Sequence, residues 1–413
     1  VLAKCHHNAL NALYKRHLSL PPNCITGEFH PSFYSHVQTK LAPAYPYQYQ
    51  EDIGKWTKGK TAEKLRQVEA SHIYDKLALQ QAKSFLKREV NPGIPTKARL
   101  IQGNKNDHTA YFHPDAYKAI SNLFQNIVYS VDGVEFDLHY TSHFNHAQIG
   151  ELFTTELARS GSKVFDERDG KNWDSTMQEK HMRYEASIYA LFDPQVAANH
   201  LLRSLKTTGK IKSAQSLVKY ITAWKRLSGD WNTSVGNTLI SMAICISVIL
   251  SLPSHLRPRR VCGLFLGDDY LGIYNYATPP DCVSLNAAMR DGEKRYGITP
   301  VRSVFTDPLL CEFISLTCWP TYNGGYAFVP KISNMLVKLF YSTKVPSRHS
   351  SHDVHAAIKA LRPCYKGLRF MQRFLQLHAA AWPIVRPNQP HVDTLKEAYF
   401  YERLGGSHDE INW

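Results

Sequence analysis

The order of apolar and polar positions predicts a mixed fold centred on one sharply punctuated hairpin. Residues 261–266 and 271–274 are apolar runs, the pattern of strands buried on both faces. Between them, Gly267-Asp268 is a pair that tight loops favour, since Gly accepts positive φ without steric cost. Such a turn would lift Asp268 and Asp269 out of the sheet together. Upstream, 84–90 and 94–102 read as two strands joined by Asn91-Pro92-Gly93, and period-two alternation puts Lys97, Arg99 and Ile101 on one face of the second. Behind a basic Gly-containing loop at 56–60, Leu65, Val68, Ile73 and Leu77 fall at roughly helical spacing.

Residues 107–160 read as mostly helical, over 114–128 and 146–158. A short strand from 163 then runs past Asp169 into a turn and a helix over 178–192. Residues 206–219 read as a basic connector, followed by a long apolar helix that ends before Pro253. A helix over 282–296 stops at Gly297, with Arg302 on the strand that follows. A second hairpin pairs 311–316 with 326–329 around Asn323-Gly324-Gly325, and 331–377 is helical with breaks at Pro346 and Pro363. Residues 1–50 show little periodicity and read as an irregular extended segment lying over the rest.

With 413 residues, 43% of them hydrophobic and 12% aromatic, the chain has apolar material for a large core or two to three subdomains, which excludes a disordered protein. It begins at Val1 and reads as a processed product or an excised part of something longer. No secretory signal opens it, and its longest apolar stretch, 239–252, contains serines and reads as too short to span a bilayer. Its 8 cysteines include no C-x-x-C and point to buried, reduced thiols in a cytosolic protein. Cys5, His6, His7 and Cys24 have metal-ligand chemistry at a spacing that fits no known zinc pattern.

The net charge of +14 is unevenly placed. Residues 1–100 hold 15 Lys/Arg against 7 Asp/Glu, and 331–386 hold 10 against 1, so two basic flanks bracket a mildly acidic middle. That arrangement suits a protein that grips a phosphate backbone on either side of a metal-binding centre.

The candidate chemistry lies in that middle. Adjacent carboxylates on a rigid tip repel, and hard oxygen ligands call for Mg²⁺ or Mn²⁺. Asp169, at the C-terminal end of its strand, is a second carboxylate source, with Asp166 competing if the strand is shorter. Asp174 opens the next helix and also fits its N-terminal cap. Ser228-Gly229 forms a flexible loop before the apolar helix, on which Thr233 and Asn237, four apart, share a face. Lys97 and Arg99 could meet a triphosphate or simply charge an edge strand.

Taken in order, Lys-x-Arg on a strand, Asp169-x4-Asp174, Ser228-Gly229-x3-Thr233-x3-Asn237 and Gly267-Asp268-Asp269 resemble the motifs of viral RNA-dependent RNA polymerases. Phe85-Leu86-Lys87-Arg88-Glu89, Arg99-Leu100-Ile101-Gln102 and Ser228-Gly229-Asp230-Trp231-Asn232-Thr233 resemble stretches of the positive-strand tombusvirus-like polymerases, with the nodaviruses as neighbours. Glu312-Phe313, before a Gly turn, resembles their thumb-side hairpin. The resemblance covers roughly 55–330.

It implies an α+β right-hand fold: N-terminal extension and fingers over 1–160, with a phosphate-binding strand at 94–102; a palm over 161–325, with a fingers insertion around 193–227; and a thumb over 326–413. It implies two Mg²⁺ ions, with Mn²⁺ as a substitute, held by Asp169 and Asp268 with help from Asp269. Lys97 and Arg99, with Lys87 or Arg88, would hold the triphosphate. Asp174, Thr233 and Asn237 would read the ribose, and Ser228 and Gly229 would follow the template or incoming base. Arg302 and Lys294 are candidates for the residue that protonates pyrophosphate. The implied partners are template and nascent RNA, NTPs, other viral replication proteins and a second copy of the chain. Membrane attachment would come only through a part outside this chain, at replication complexes in the host cytoplasm. The rivals are a reverse transcriptase, which shares the palm, and a non-catalytic RNA-binding subunit of the same fold.

Overall fold

A computed structural model describes residues 6–14, 18, 24–58, 80–86, 100–103, 114–170, 172–212, 217–340 and 350–381. In chain order the elements are α1 (His6–Leu13), α2 (Pro31–His36), α3 (Tyr45–Lys58), β1 (Gln81–Leu86), β2 (Leu100–Gly103), α4 (Pro114–Leu123), β3 (Asn126–Val131), β4 (Val134–Tyr140), α5 (His146–Ala158) and β5 (Ser162–Gly170). Then follow α6 (Trp173–Thr176), α7 (Glu179–Ala190), α8 (Pro194–Leu205), β6 (Thr207–Lys212), β7 (Leu217–Thr222), α9 (Thr233–Leu250), β8 (Arg260–Leu266), β9 (Asp269–Tyr276), α10 (Cys282–Lys294) and β10 (Pro300–Phe305). The chain continues through β11 (Glu312–Phe313), β12 (Leu316–Pro320), β13 (Tyr326–Pro330), α11 (Ile332–Phe340), α12 (Ser350–Leu361) and α13 (Arg369–Ala380).

The central sheet has 6 strands in the order β10-β5-β9-β8-β4-β3, all antiparallel neighbours except the parallel pair β4 and β8. Strand alternation splits its side chains between two cores. Val164, Val261, Phe265, Tyr270 and Tyr274 face α9, while Phe165, Cys262, Leu264, Leu271 and Ile273 face Ile149 and Phe153 of α5 and the small sheet β11-β12-β13. Sixteen of the 18 residues of α9 are buried, so it is apolar on every side because protein surrounds it. Its length and hydropathy would suffice for a membrane span, against the sequence expectation for this stretch, but 89% of it lies inside the fold.

A second sheet of 4 strands, β2-β1-β6-β7, is closed by α1, whose Ala9, Ala12 and Leu13 pack on Leu86, Leu100, Ile211 and Tyr220. The C-terminal helices form a third cluster, in which Met335, Ile358, Tyr365, Met371 and Leu375 gather beside Val329 of β13.

Several expectations need correction. Residues 31–58 are helical and not irregular: Phe33 and Val37 are buried in the main core, and just before them the His30 amide donates to Ser247 Oγ on α9 at 2.8 Å. The helix expected over 114–128 ends at Leu123 and gives way to the β3–β4 hairpin, whose Asp132-Gly133 loop has positive φ at both residues, +49° and +76°. That is the Asp-Gly signature of a type I′ loop. The basic connector at 206–219 is the β6–β7 hairpin; on β6, Gly209 and Ile211 are buried while Lys210 and Lys212 are exposed. The second hairpin has three strands: Ile314-Ser315 turns the chain with φ +47° and +65°, and it is β12, not 311–316, that pairs with β13. The helix expected around 61–79 lies outside the described residues.

Candidate active site

The central hairpin closes through two residues. Leu266 pairs with Asp269, and Gly267 takes φ +68°. A positive φ at the first of two loop residues is what a type II′ loop requires, so backbone geometry asks for glycine here and leaves Asp268 at the tip. The hairpin is anchored from below by the Gly267 amide, which donates to Thr238 Oγ1 on α9 at 2.9 Å.

Strand β5 brings the third carboxylate. Its ladder with β9 ends at Arg168 opposite Tyr270, and one more step sets Asp169 opposite Asp269. Asp169 is exposed and Gly170 is buried against the hairpin; a Cβ there would stand 3.0 Å from that of Asp268 and 2.7 Å from the Trp173 ring. Asp166, the competing candidate, points to the opposite face and is fully buried, accepting from Arg302 and from the Tyr274 hydroxyl. An internal ion pair occupies its carboxylate.

Asp174 does not cap its helix. Asn172 holds that position with φ +55°, and Asp174 sits in the first turn of α6. Its Oδ1 accepts from Asn237 Nδ2 at 3.0 Å, and its Oδ2 accepts from Ser228 Oγ. Residues 54 and 63 positions apart thus meet at one carboxylate. Thr233 stays out of this group: its hydroxyl lies 2.8 Å from the Leu227 and Asp230 carbonyls and braces the loop before α9.

Lys87, Arg88, Lys97 and Arg99 lie outside the described residues. The strands that flank them are fixed to the site nonetheless, because the Gln102 amide of β2 donates to the Ser228 carbonyl at 2.7 Å. Both proton-donor candidates have carboxylate partners. Arg302 is buried between Asp166 and Glu293; burial opposes its charge, but Asp166 and Glu293 more than offset this and hold its pKa well above the ordinary range. Lys294 pairs with Asp291 at 2.8 Å on the exposed end of α10.

Sequence reasoning missed Thr238, Glu185 and Arg226. Arg226 donates through Nε to Asn237 Oδ1 at 2.8 Å and is paired with Glu185, both fully enclosed. A lone Arg two residues before Ser228-Gly229 was the available signal.

Burial pushes the Asp268 carboxyl up to about 7, with Asp174 and then Asp269 adding to the effect. Burial and then Asp169 push Asp269 up to about 6, opposed by Arg168. Among the described residues, no Lys or Arg forms an ion pair with Asp169, Asp268 or Asp269. Crowded carboxylates without an internal cation are a fit donor set for hard divalent ions. Asp137, His139 and Cys262 form a different buried group, their ligand atoms within 4.8 Å of one another, but Arg260 at 2.6 Å already balances Asp137.

A pH dependence follows. Asp268 and Asp269 titrate higher in the folded chain than their ordinary value of 3.8, so the fold holds more protons than the unfolded chain between about pH 4 and 7, and stability without metal falls as pH rises through that window. A divalent ion displaces those protons. The Mg²⁺-induced rise in Tm is therefore expected to be larger at pH 8 than at pH 6, read by thermal unfolding with and without the ion; equal rises would refute the assignment.

Residues 125–297 match the family described as viral RNA dependent RNA polymerase, a stretch that runs from β3 to the end of α10 and contains Asp169, Asp174, Asn237 and the hairpin. The chain is similar to the RNA-directed RNA polymerase of groundnut rosette virus (strain MC1), at 24% identity over 170 residues, 40% of this chain and 20% of that protein. The match thus spans about a fifth of the relative's length.

Proposed function

We propose that the chain is the catalytic core of a polymerase that copies an RNA template by adding NTPs to an RNA 3′ end, in replication and transcription of a viral genome. The observation that carries this reading is the meeting of Asp169, Asp268 and Asp269 from two neighbouring strands, with Asp174 held beside them by Asn237 and Ser228. Asp169 and Asp268 would hold two Mg²⁺ or Mn²⁺ ions, with Asp269 assisting. Bound there, the ions would lower the pKa of the RNA 3′-hydroxyl and stabilise charge on the departing pyrophosphate. The chain itself positions the reactants: the hairpin fixed to Thr238 keeps Asp268 at a set height, and Asp174 presents an acceptor for a ribose 2′-hydroxyl, the group that distinguishes RNA precursors.

In this reading the fold is a right hand. The six-stranded sheet is the palm, the four-stranded sheet belongs to the fingers, and the C-terminal helices are the thumb. A boundary at 160 would divide the six-stranded sheet, so the palm also takes 126–158. Lys87, Arg88, Lys97 and Arg99 would hold the triphosphate, while Ser228 and Gly229, with the Ser228 carbonyl bonded to the Gln102 backbone amide of β2, would follow the template or incoming base. The basic flanks hold template and nascent RNA. We further propose tombusvirus-like affinities, work alongside other viral replication proteins and further copies of the chain, and a place in the host cytoplasm at membrane-associated complexes reached through a part outside this chain.

No observation favours reverse transcription. Trp173, the aromatic neighbour of Asp174, is turned inward and lies over Arg168 at 5.2 Å. Primer extension on a short RNA template with Mg²⁺ tests the proposal: NTPs are expected to be incorporated with strong preference over dNTPs. Equal use of both would remove the ribose assignment, and no extension at all would leave the non-catalytic rival standing.

A further inference from the structure

Beneath the ribose-facing pair lies a buried polar chain that touches no substrate. Glu185, on α7, is fully buried and receives hydrogen bonds from three side chains. Arg226 reaches both its oxygens, the Tyr189 hydroxyl donates at 2.7 Å, Asn232 Nδ2 donates at 2.8 Å, and His200 Nε2 stands 3.5 Å away. The packing is close enough that a Cβ at position 236 would meet Glu185 Oε1 at 2.1 Å and Arg226 Nη2 at 2.7 Å, so only glycine leaves room for the pair on this face of α9. The third guanidinium nitrogen of Arg226, Nε, donates to Asn237 Oδ1 at 2.8 Å.

That last contact has a chemical consequence. A primary amide has an acceptor end and a donor end of almost identical shape, so its neighbours decide which way it faces. A guanidinium has donors only. Placed against one end of Asn237, it requires oxygen there and turns the NH₂ toward Asp174, where Nδ2 donates at 3.0 Å. With the amide reversed, Asn237 Oδ1 would face the Asp174 carboxylate, two acceptors would repel, and Asp174 would leave its place. Ser228 Oγ holds the other oxygen of Asp174 but offers a single rotatable bond.

We propose that the buried Glu185–Arg226 pair acts as the positioning couple for sugar selection, fixing the Asn237 amide so that Asp174 is held to accept the ribose 2′-hydroxyl. The inference rests on the ribose-reading role proposed above and extends it to residues that never meet the nucleotide. Arg226 cannot be exchanged freely for Lys, because a point-like ammonium cannot serve both Glu185 oxygens and Asn237 at once from a planar fork.

The test is single-nucleotide incorporation by the full chain on an RNA primer–template, giving kcat and KM separately for an NTP and its matched dNTP. Two variants are compared with wild type: Arg226→Lys, and Glu185→Asp, which withdraws the carboxylate by one carbon. Both retain opposite charges in the cavity, and thermal unfolding confirms the fold; if one variant does not fold, the other decides. The expected result is a fall in the NTP-to-dNTP ratio of kcat/KM by about tenfold or more, since a site built to bond a substrate hydroxyl discriminates through that bond. The loss should lie in the NTP arm, with KM rising, while the dNTP arm stays near wild type because that substrate has no 2′-hydroxyl to lose. A parallel fall in both arms, or an unchanged ratio, would overturn the proposal and leave the pair a purely structural role. If wild type itself shows no preference for NTP, the ribose reading beneath it fails, and this inference fails with it.

Discussion

Asp268→Ala is expected to reduce primer extension by about three orders of magnitude or more, beyond the hundred- to thousandfold seen when one neutral stabilising donor is removed from an active site, because under the proposed two-metal reading an ion ligand is lost outright. RNA affinity should stay close to wild type, since phosphate contacts from the basic flanks supply most of it. A second result sharpens the test. Burial, Asp174 and Asp269 push the Asp268 carboxyl up to about 7, so in chelator near neutral pH this side chain is held at a cost to the fold. Removing it should raise the metal-free Tm at pH 8 while abolishing synthesis, the opposite of what an ordinary core lesion does. Asp269→Ala should hurt less, because the proposed role of Asp269 is to assist. Retained extension by Asp268→Ala, or loss of activity together with a lowered melting temperature, would exclude the hairpin tip as the centre of the chemistry.

The hairpin was legible in the sequence because it is local: apolar runs, a Gly at the turn and two carboxylates lie within a dozen residues. Asp169 could be named but not chosen over Asp166, since that choice depends on which face of β5 meets α9. In the structure the register aligns Asp169 with Asp269 and turns Asp166 toward Arg302, which favours Asp169 in the proposed reading. Helix limits at α5 and α7 fell close to expectation because caps and periodicity mark them. The hairpins at 126–140 and 207–222 were lost for different reasons. In the first, Asp132-Gly133 was a turn signal in plain view but stood beside a helical pattern that was extended across it. In the second, the lysines of β6 and β7 read as a solvated connector, although alternate burial along β6 is what a strand with one covered face shows. The Glu185–Arg226 pair belongs to a third class. Its members are 41 positions apart, each an ordinary charged residue in its own segment, and only folding reveals that neither reaches water.

Replacing Arg302 by Met is expected to be the most destabilising single change outside the hairpin. On the α9 side of the central sheet, Asp166 and Glu293 balance Arg168 and Arg302 in a closed group of two negative and two positive charges. Arg302 Nη2 lies 2.6 Å from Glu293 Oε1 and Arg168 Nη1 lies 2.8 Å from the same oxygen, while Ser241 Oγ accepts from Arg168 and the Tyr274 hydroxyl donates to Asp166. Burial raises the Asp166 carboxyl above its ordinary range even with Arg302 and Tyr274 beside it, so without Arg302 the site would contain an excess of buried negative charge. Removing one partner of such a pair costs about 3–5 kcal/mol, far more than the pair contributes relative to apolar substitutes. The asymmetry gives the control. Asp166→Asn combined with Arg302→Met leaves Arg168 and Glu293 as a neutral pair and keeps an acceptor for Tyr274, so urea unfolding of the double variant should recover a large part of the loss. Additive losses in the double variant would show that Arg302 supports the fold through packing alone. Recovery of stability with little recovery of synthesis would instead connect this buried group to the site, through Arg168, whose neighbour in the chain is Asp169 and whose charge opposes the upward shift of Asp269.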